Sequence, residues 1–499
     1  MPGLTSTEQT TKLGGYEFFQ KVLGSPKFVV APMVDQSELA WRKLSRRYGA
    51  QLVYTPMINA KMFAEGIRKP YREQNFNIAL GEEGGPEDRP LIVQFCANNP
   101  EYLLTAAKLV EKHCDAIDIN LGCPQDIARR GHYGSFLQDE WELIYNLIKI
   151  LHENLSVPVT AKFRVFSTVE KTVEYAQMLE RAGAQILTCH GRTREQRGHR
   201  SGLADWAKIR AVKEAVSVPV IANGNLLFHG DIERCLAATC ADAVMSAEGN
   251  LYNPAIFALS QKPSSDSDAA ASTSLSARPL SSFLTGHHPR HTALAREYLN
   301  IVKEQRTPTS HSAVKGHLFK LLRPALGRET DLRERLGRVR VDRVEKESSN
   351  PYERYEEIVA ELHERMERDE KAAEGQSIEA LTTIDAATGL PLLPHWLAQP
   401  YFRPLPVEAA EEDTKEGEAA KVPGSAPAVV AGPDISAAFA ASDRAMEEGL
   451  SDATDPAALV GSKRGPSERT PDPEDSVITT EAKRAKLESG MTLEGPVTG

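Results

Sequence analysis

The chain has 499 residues, a net charge of −10 and a hydrophobic fraction of 41%. That charge excludes a protein that binds polyanions over its whole surface, though not one with a local basic face. The six cysteines form no CxxC pair, Met1–Gly15 holds no apolar core, and no run approaches the ~20 apolar residues of a membrane span, which points to a reduced intracellular protein with neither structural disulfides nor a metal site.

Residues 1–26 read as an N-terminal extension. From 27 to 260 eight apolar, β-branched runs recur: Lys27–Met33, Gln51–Met57, Pro90–Cys96, Ala116–Cys123, Pro158–Val165, Ala184–Gly191, Pro219–Asn225 and Asp242–Gly249. Between them lie amphipathic stretches such as Pro100–His113, Asp139–Asn154, Thr168–Ala182 and Asp205–Ala215, with Asn59–Glu65 the shortest. Strands buried on both faces give near-continuous apolar runs, and eight strand–helix units predict an α/β fold, a closed (β/α)8 TIM barrel over 27–260.

Residues 261–288 are Ser/Ala-rich and read as a linker. From 289 to 371 the period is helical again. Leu294, Tyr298, Ile301 and Val302 form one apolar stripe, Val314, Leu318, Leu321 and Leu322 another, and Ile358, Leu362 and Met366 a third. These predict a small all-α helical domain. The tail, 372–499, has too little apolar surface to offset ordering entropy and reads as disordered. Its one aromatic island, 390–406, is a candidate docking segment.

In a barrel of this kind the active site forms at the C-terminal ends of the strands. The residues closing the runs are Met33, Met57, Gln94, Asn120 with Cys123, Lys162 with Arg164, His190 with Arg192, Asn223 with Asn225, and Glu248. Polar groups are costly to bury unless partnered, so a set of them in register points to a site. After the seventh and eighth strands, Asn223-Gly224-Asn225 and Ala247-Glu248-Gly249 let backbone N–H groups approach a phosphate, which this fold binds there. A carboxylate beside a phosphate repels it, so Glu248 is assigned a backbone role. No Rossmann fingerprint is evident.

Ala31-Pro32-Met33-Val34-Asp35, Val93-Gln94-Phe95, Asp118-Ile119-Asn120-Leu121-Gly122-Cys123-Pro124-Gln125, Lys162-Phe163-Arg164, His190-Gly191-Arg192-Thr193-Arg194 and Ala222-Asn223-Gly224-Asn225 resemble the tRNA-dihydrouridine synthase family in order and spacing. The resemblance is close over 27–260 and looser to about 370. Tyr54–Lys61 and Ala247–Pro254 resemble the eukaryotic branch that acts on D-loop positions 16 and 17. The resemblance implies FMN as cofactor, NADPH or NADH as reductant and tRNA as substrate. Pro32, Met33 and Val34 would lie along the flavin ring, Gln94 at its edge, and Lys162 beside the side of the ring that becomes anionic. His190 would orient the cofactor, Asn120 would position flavin or uracil, and Asn223, Gly224, Asn225, Ala247 and Glu248 would hold the phosphate. The resemblance further implies that hydride would pass to C6 of uracil and a proton to C5. Cys123 would donate that proton, since a thiol with a reference pKa of about 8.5 is protonated at neutral pH yet able to give its proton up.

A uridine must leave its stack to reach a barrel mouth, so the rim is expected to be basic. Arg129, Arg130 and His132 follow the fourth strand. Arg164 closes the fifth, and Arg192, Arg194, Arg197, His199 and Arg200 follow the sixth. Arg129, Arg130, Arg164, Arg192 and Arg194 are the candidate tRNA contacts, and Lys315, His317, Lys320 and Arg323 form a second basic stripe. No DNA or membrane partner is expected, and the protein reads as a monomer. It is expected in the cytoplasm, with Lys463-Arg464 and Lys483–Lys486 as nuclear-import candidates. Two rival readings are an FMN barrel acting on a free pyrimidine, as dihydroorotate dehydrogenases do, and a tRNA chaperone on a decayed barrel. The first leaves the arginine loops and helical domain unexplained, and the second leaves Cys123, Lys162 and His190 unexplained.

Overall fold

The computed structural model describes residues 12–66, 69–198, 201–259, 280–340 and 352–402. Residues 1–11, 67–68, His199, Arg200, Ser260 with the linker residues 261–279, 341–351 and the tail from 403 with both import candidates lie outside the described residues.

Each of the eight runs supplies a parallel strand: β1 (Phe28–Val30), β2 (Val53–Tyr54), β3 (Leu91–Cys96), β4 (Ala116–Leu121), β5 (Val159–Arg164), β6 (Leu187–His190), β7 (Val220–Asn223) and β8 (Ala243–Ser246). They pair in ring order from β2 through β3 to β8 and on to β1. The ring closes where Val30 N–H donates to Leu52 O at 2.9 Å and Leu52 N–H donates to Phe28 O at 3.2 Å. A two-residue strand, Ile58–Asn59, adds to the edge of β3. Its Asn59 side chain caps the short helix Ala60–Glu65 by accepting from Met62 N–H at 3.1 Å.

Alternation along each strand sorts side chains into two shells. Val29, Leu52, Ile92, Ala116, Ile186, Ile221 and Ala243 point inward and form the barrel's apolar floor. Phe18 and Phe19 of the helix Gly15–Lys21 join this cluster and plug the floor from below. The outward residues, among them Phe95, Ile119, Phe163 and Cys189, pack in the larger shell that includes the surrounding helices.

Helices His291–Glu304, His311–Leu321, Thr330–Arg338 and Glu353–Ala372 form the helical part, with all three stripes buried. It docks on the barrel helix Leu39–Arg47: Tyr298 Oη–H donates to Glu38 at 2.7 Å and Arg47 pairs with Glu297 at 2.9 Å. Residues 390–402 lie across both parts. Ala398 N–H donates to Pro289 O at 2.8 Å, His291 N–H donates to Trp396 O at 3.1 Å, and Phe402 rests near the ring of Phe228, just beyond β7. No described helix is long and apolar enough to cross a membrane.

Candidate active site

Moving up the barrel axis from the apolar floor, the inward positions become polar. Asp118 on β4 and Thr160 on β5 are register partners and both are buried. Thr160 Oγ1–H donates to one Asp118 oxygen at 2.6 Å, and Gln94 Nε2 on β3 donates to the other at 2.7 Å. One layer higher, Asn120 Nδ2 donates to Gln94 Oε1 at 2.8 Å. Asn120 Oδ1 in turn accepts from Gly122 N–H at 3.1 Å and Cys123 N–H at 2.9 Å. The loop bearing Cys123 thus hangs from a line of side-chain hydrogen bonds that begins in the barrel interior. A second loop holds it from the other side, where Ser135 donates to Cys123 O through N–H at 3.1 Å and through Oγ–H at 2.9 Å. Gly134 permits this approach: its φ is +66°, and a Cβ there would lie 2.8 Å from Cys123 O.

Above this layer the inward side chains are only partly covered. Met33, Met57, Cys123, Lys162, Arg164 and His190 line the mouth, and Val34 at its edge is 46% exposed. Burial pushes the Cys123 thiol up, against smaller opposing influences from the Gln125 backbone, Arg164 and Lys162, so the sulfur is protonated at neutral pH. Burial and the neighbouring Arg164 cation bring Lys162 down to about 8, with Asp118 opposing them. Among the described residues the Lys162 ammonium reaches no hydrogen-bond acceptor. His190 is held well below 6.5 by burial and by Arg164, Lys162 and Arg192, so its ring is neutral.

The phosphate-side loops meet as the register requires, with His190 opposite Asn223. Asn223 Nδ2 donates to Met245 O at 2.8 Å and ties β7 to β8. Gly224, at φ +119°, lies so close to His190 that a Cβ would sit 3.3 Å from its Cδ2, and a Cβ on Gly249 would sit 2.2 Å from Leu226 O. Asn225 takes a left-handed φ of +62° and uses its side chain on the loop after β6, accepting from Ala204 N–H at 3.0 Å and from Arg192 at 2.9 Å. The two asparagine side chains are thus spent on the protein itself, and the two glycines let the backbone pack closely against His190 and the Leu226 carbonyl. Ala247 and Glu248 begin the short helix Glu248–Tyr252 beside them.

The arginines divide into two groups. Arg164 donates to the carbonyls of Gly122 at 2.8 Å, Thr193 at 2.9 Å and Gln196 at 3.1 Å, and is lowered to about 10 by burial and Arg192. Arg192 donates to Ser201 O, Gly202 O and Asn225, and Arg194 to Ser135 O and Asp139. These three knit the rim loops together. Arg129 and Arg130 are exposed, Arg129 only 3.6 Å from Asp126. In the helical part His317 is fully buried, stacked on Trp41 at 4.0 Å and bonded to Glu38 at 3.0 Å, and Lys315 binds the carbonyls of Gly337 and Val339. The stripe Lys315–Arg323 is therefore not one basic face: the helical spacing is real, but His317 lies on the side that meets the barrel. Asp118, Thr160, Gly134 and Ser135 were not among the expected site residues. For Asp118 a signal existed, since alternation from inward Asn120 places it inward too.

Residues 29–356 match the family described as dihydrouridine synthase (Dus). The chain belongs to that family. It is 46% identical over 413 residues to the tRNA-dihydrouridine(16/17) synthase of Saccharomyces cerevisiae, covering 81% of this chain and 90% of the yeast protein. To the tRNA-dihydrouridine(16/17) synthase-like protein of Mus musculus it is 46% identical over 404 residues, 81% of this chain and 74% of the relative. The tRNA-dihydrouridine(20a/20b) synthase-like protein of Homo sapiens is 40% identical over 233 residues, 46% of this chain and 70% of the relative. This dihydrouridine synthase is thus an oxidoreductase that matches the 16/17 proteins over far more of its length than the 20a/20b protein.

Proposed function

We propose that the enzyme reduces uridine to 5,6-dihydrouridine at positions 16 and 17 of the tRNA D-loop, using FMN and a nicotinamide reductant, with Cys123 as proton donor. The observation that carries this reading is the pairing at the mouth of a protonated, rigidly hung thiol with a mostly buried ammonium, Lys162, that has no acceptor of its own among the described residues. A mostly buried cation without an acceptor fits an anionic or carbonyl-bearing ligand. In the loops 223–225 and 247–249 the side chains of Asn223 and Asn225 are spent on the protein, which leaves backbone N–H groups as the donors for a phosphate. The residues thus suit FMN: Lys162 beside the ring, the loops 223–225 and 247–249 at the phosphate, and the Met33–Val34 edge along an apolar face. When bound, FMN supplies the hydride that reduces the uracil.

The chain's own part is to position and protonate. Lys162 would set a cation beside the part of the flavin that becomes anionic, which would favour its reduced state. Neutral His190 accepts from Arg192 at Nε2, 3.3 Å away, and so offers its Nδ1–H without adding further positive charge. The Cys123 proton goes to uracil C5, and the resulting thiolate is stabilised by Lys162 and Arg164 nearby until it is reprotonated. The partly covered mouth leaves room for a base turned out of its stack.

The test is to purify the protein, record its flavin spectrum and map dihydrouridine in tRNA from cells lacking it. Loss confined to positions 16 and 17 is expected, and a protein that takes up no flavin on reconstitution would remove the cofactor from the reading. Cys123→Ala is expected to keep bound FMN and its reduction by NADPH, while dihydrouridine formation falls by about 10²–10⁴-fold. Normal product from that variant would exclude Cys123 as the acid.

A further inference from the structure

We infer that Asp118 is a positioning residue for this reaction, fixing through Gln94 and Asn120 the direction of the hydrogen bonds that hold Cys123 and acting as the counter-charge to Lys162. The inference rests on the functional reading above only for its cofactor readout.

Each end of the line constrains the next. Backbone N–H groups only donate, so the atom of Asn120 that faces Gly122 and Cys123 must be its oxygen. Its amide nitrogen then faces Gln94, whose near atom must be oxygen. The Gln94 nitrogen is left pointing down the barrel, where only an acceptor satisfies it. Asp118 supplies that acceptor with one oxygen and takes the Thr160 hydroxyl with the other. An ionised carboxylate accepts at both oxygens and donates at neither, so the whole line has one arrangement. Its pKa is raised to about 6 by burial, with Thr160, Gln94 and Lys162 opposing, so it is still mostly ionised at neutral pH.

The charge matters separately from the bonds. Asn120 and Lys162 are register partners on β4 and β5, which places Asp118 one inward layer below the ammonium. Asp118 is the carboxylate whose field acts on Lys162. Removing that negative charge leaves Lys162 and Arg164 less balanced, and a more positive site favours reduced flavin.

Asp118→Asn separates the two roles. Its oxygen can face Gln94 and its nitrogen the Thr160 hydroxyl, which can accept, so the line survives while the charge is lost. In the holoenzyme the midpoint potential of bound FMN is expected to rise. Reduction by NADPH should be no slower, and dihydrouridine formation by the pre-reduced enzyme should fall by about tenfold. Thr160→Val removes one of the two donors to the carboxylate, making it more basic, and should shift the potential the same way by less. A potential equal to wild type in both variants would overturn the electrostatic role, and in Thr160→Val alone it would do so if the Asn variant fails to fold.

The bond-directing role is read without any flavin, from the alkylation rate of Cys123 by iodoacetamide followed by peptide mass spectrometry. In Asp118→Ala, which has no acceptor for Gln94, the rate should rise by about threefold or more, and in Asp118→Asn it should stay within about twofold of wild type. An unchanged rate in the Ala variant would overturn the positioning role. Absence of flavin from the wild type itself would instead defeat the functional reading and leave this readout standing.

Discussion

At the barrel mouth, Asp118, Gln94 and Asn120 engage both polar ends of each side chain. At the seam between barrel and helical part, Glu38 bonds His317 and Tyr298, and Trp41 Nε1 donates to Asn250 at 2.8 Å. There, however, His317 Nδ1, Gln36 Oε1 and Asn250 Nδ2 are buried with no partner among the described residues. Both regions bury ionisable groups, but only the line Asp118–Gln94–Asn120 has a partner at each polar end of every side chain. A line with every end used has a single arrangement, whereas a seam with spare donors and acceptors tolerates adjustment. On the proposed reading the mouth would have to hold atoms closely against a reacting base, whereas the seam need only keep two parts together.

The largest break in this contrast should come from Arg164→Met. Its guanidinium joins the Cys123 loop, through Gly122 O, to the loop after β6, through Thr193 O and Gln196 O. Losing it removes three hydrogen bonds and strands the carbonyls of Gly122 and Gln196, while Thr193 O keeps Gln196 N–H at 3.3 Å, at a cost of about 2–4 kcal/mol in urea unfolding, with reduced dihydrouridine formation. Lys at this position should rescue little, because one ammonium cannot span the three acceptors. A full rescue by Lys would mean that Arg164 acts through its charge alone.

A smaller effect is expected at the seam. His317→Phe keeps a ring stacked over Trp41 and removes the bond to Glu38, costing about 1–2 kcal/mol while bound FMN and the chemistry of the barrel are retained. The variant also tests the acid limb of stability. Burial pushes His317 below 6.5 despite Glu38, and brings His291 to about 4. The unfolded chain therefore binds more protons than the folded one below pH 6.5, and stability falls as pH falls through that window. Glu38 acts in the same direction: burial raises it, His317 and Tyr298 outweigh burial, and its folded pKa lies below 4.5. Asp118 acts oppositely, its contribution worsening as pH rises from 3.8 to about 6. Unfolding free energy measured between pH 7 and 4 should decline less steeply in His317→Phe than in wild type. Equal slopes would show that the Glu38–His317 pair does not set the acid limb.

The same contrast explains what the sequence made legible. The eight strands were readable because β-branched runs buried on both faces need no partner to identify them. Their strand portions are shorter than the runs, as with Phe28–Val30 inside Lys27–Met33, because the final residues turn into the mouth. Positions such as Gln94, Lys162 and His190 follow from the same count of strand ends, since each closes its run facing inward. What helical spacing could not reveal was that His317 stacks on Trp41, far away in sequence. Nor could the charge of Arg164 and Arg192 reveal that their acceptors are carbonyls of neighbouring loops, because those loops are brought together only by barrel closure.

That division leaves Arg130 as the sharpest probe of the rim with the smallest structural consequence. It is exposed on the helix Asp126–Gly131, and it forms no ion pair among the described residues. Arg130→Ala should therefore change unfolding free energy by no more than about 0.5 kcal/mol. If its guanidinium meets a tRNA phosphate, binding should weaken similarly for all tRNAs tested, and the slope of log K against log salt should become shallower by about 0.7–0.9. Arg164→Met should instead lower stability and change the salt slope little, because its donors already face the protein. An unchanged slope in Arg130→Ala would place the RNA path elsewhere on the rim, and a changed slope in Arg164→Met would mean that the loops it joins carry phosphate contacts of their own.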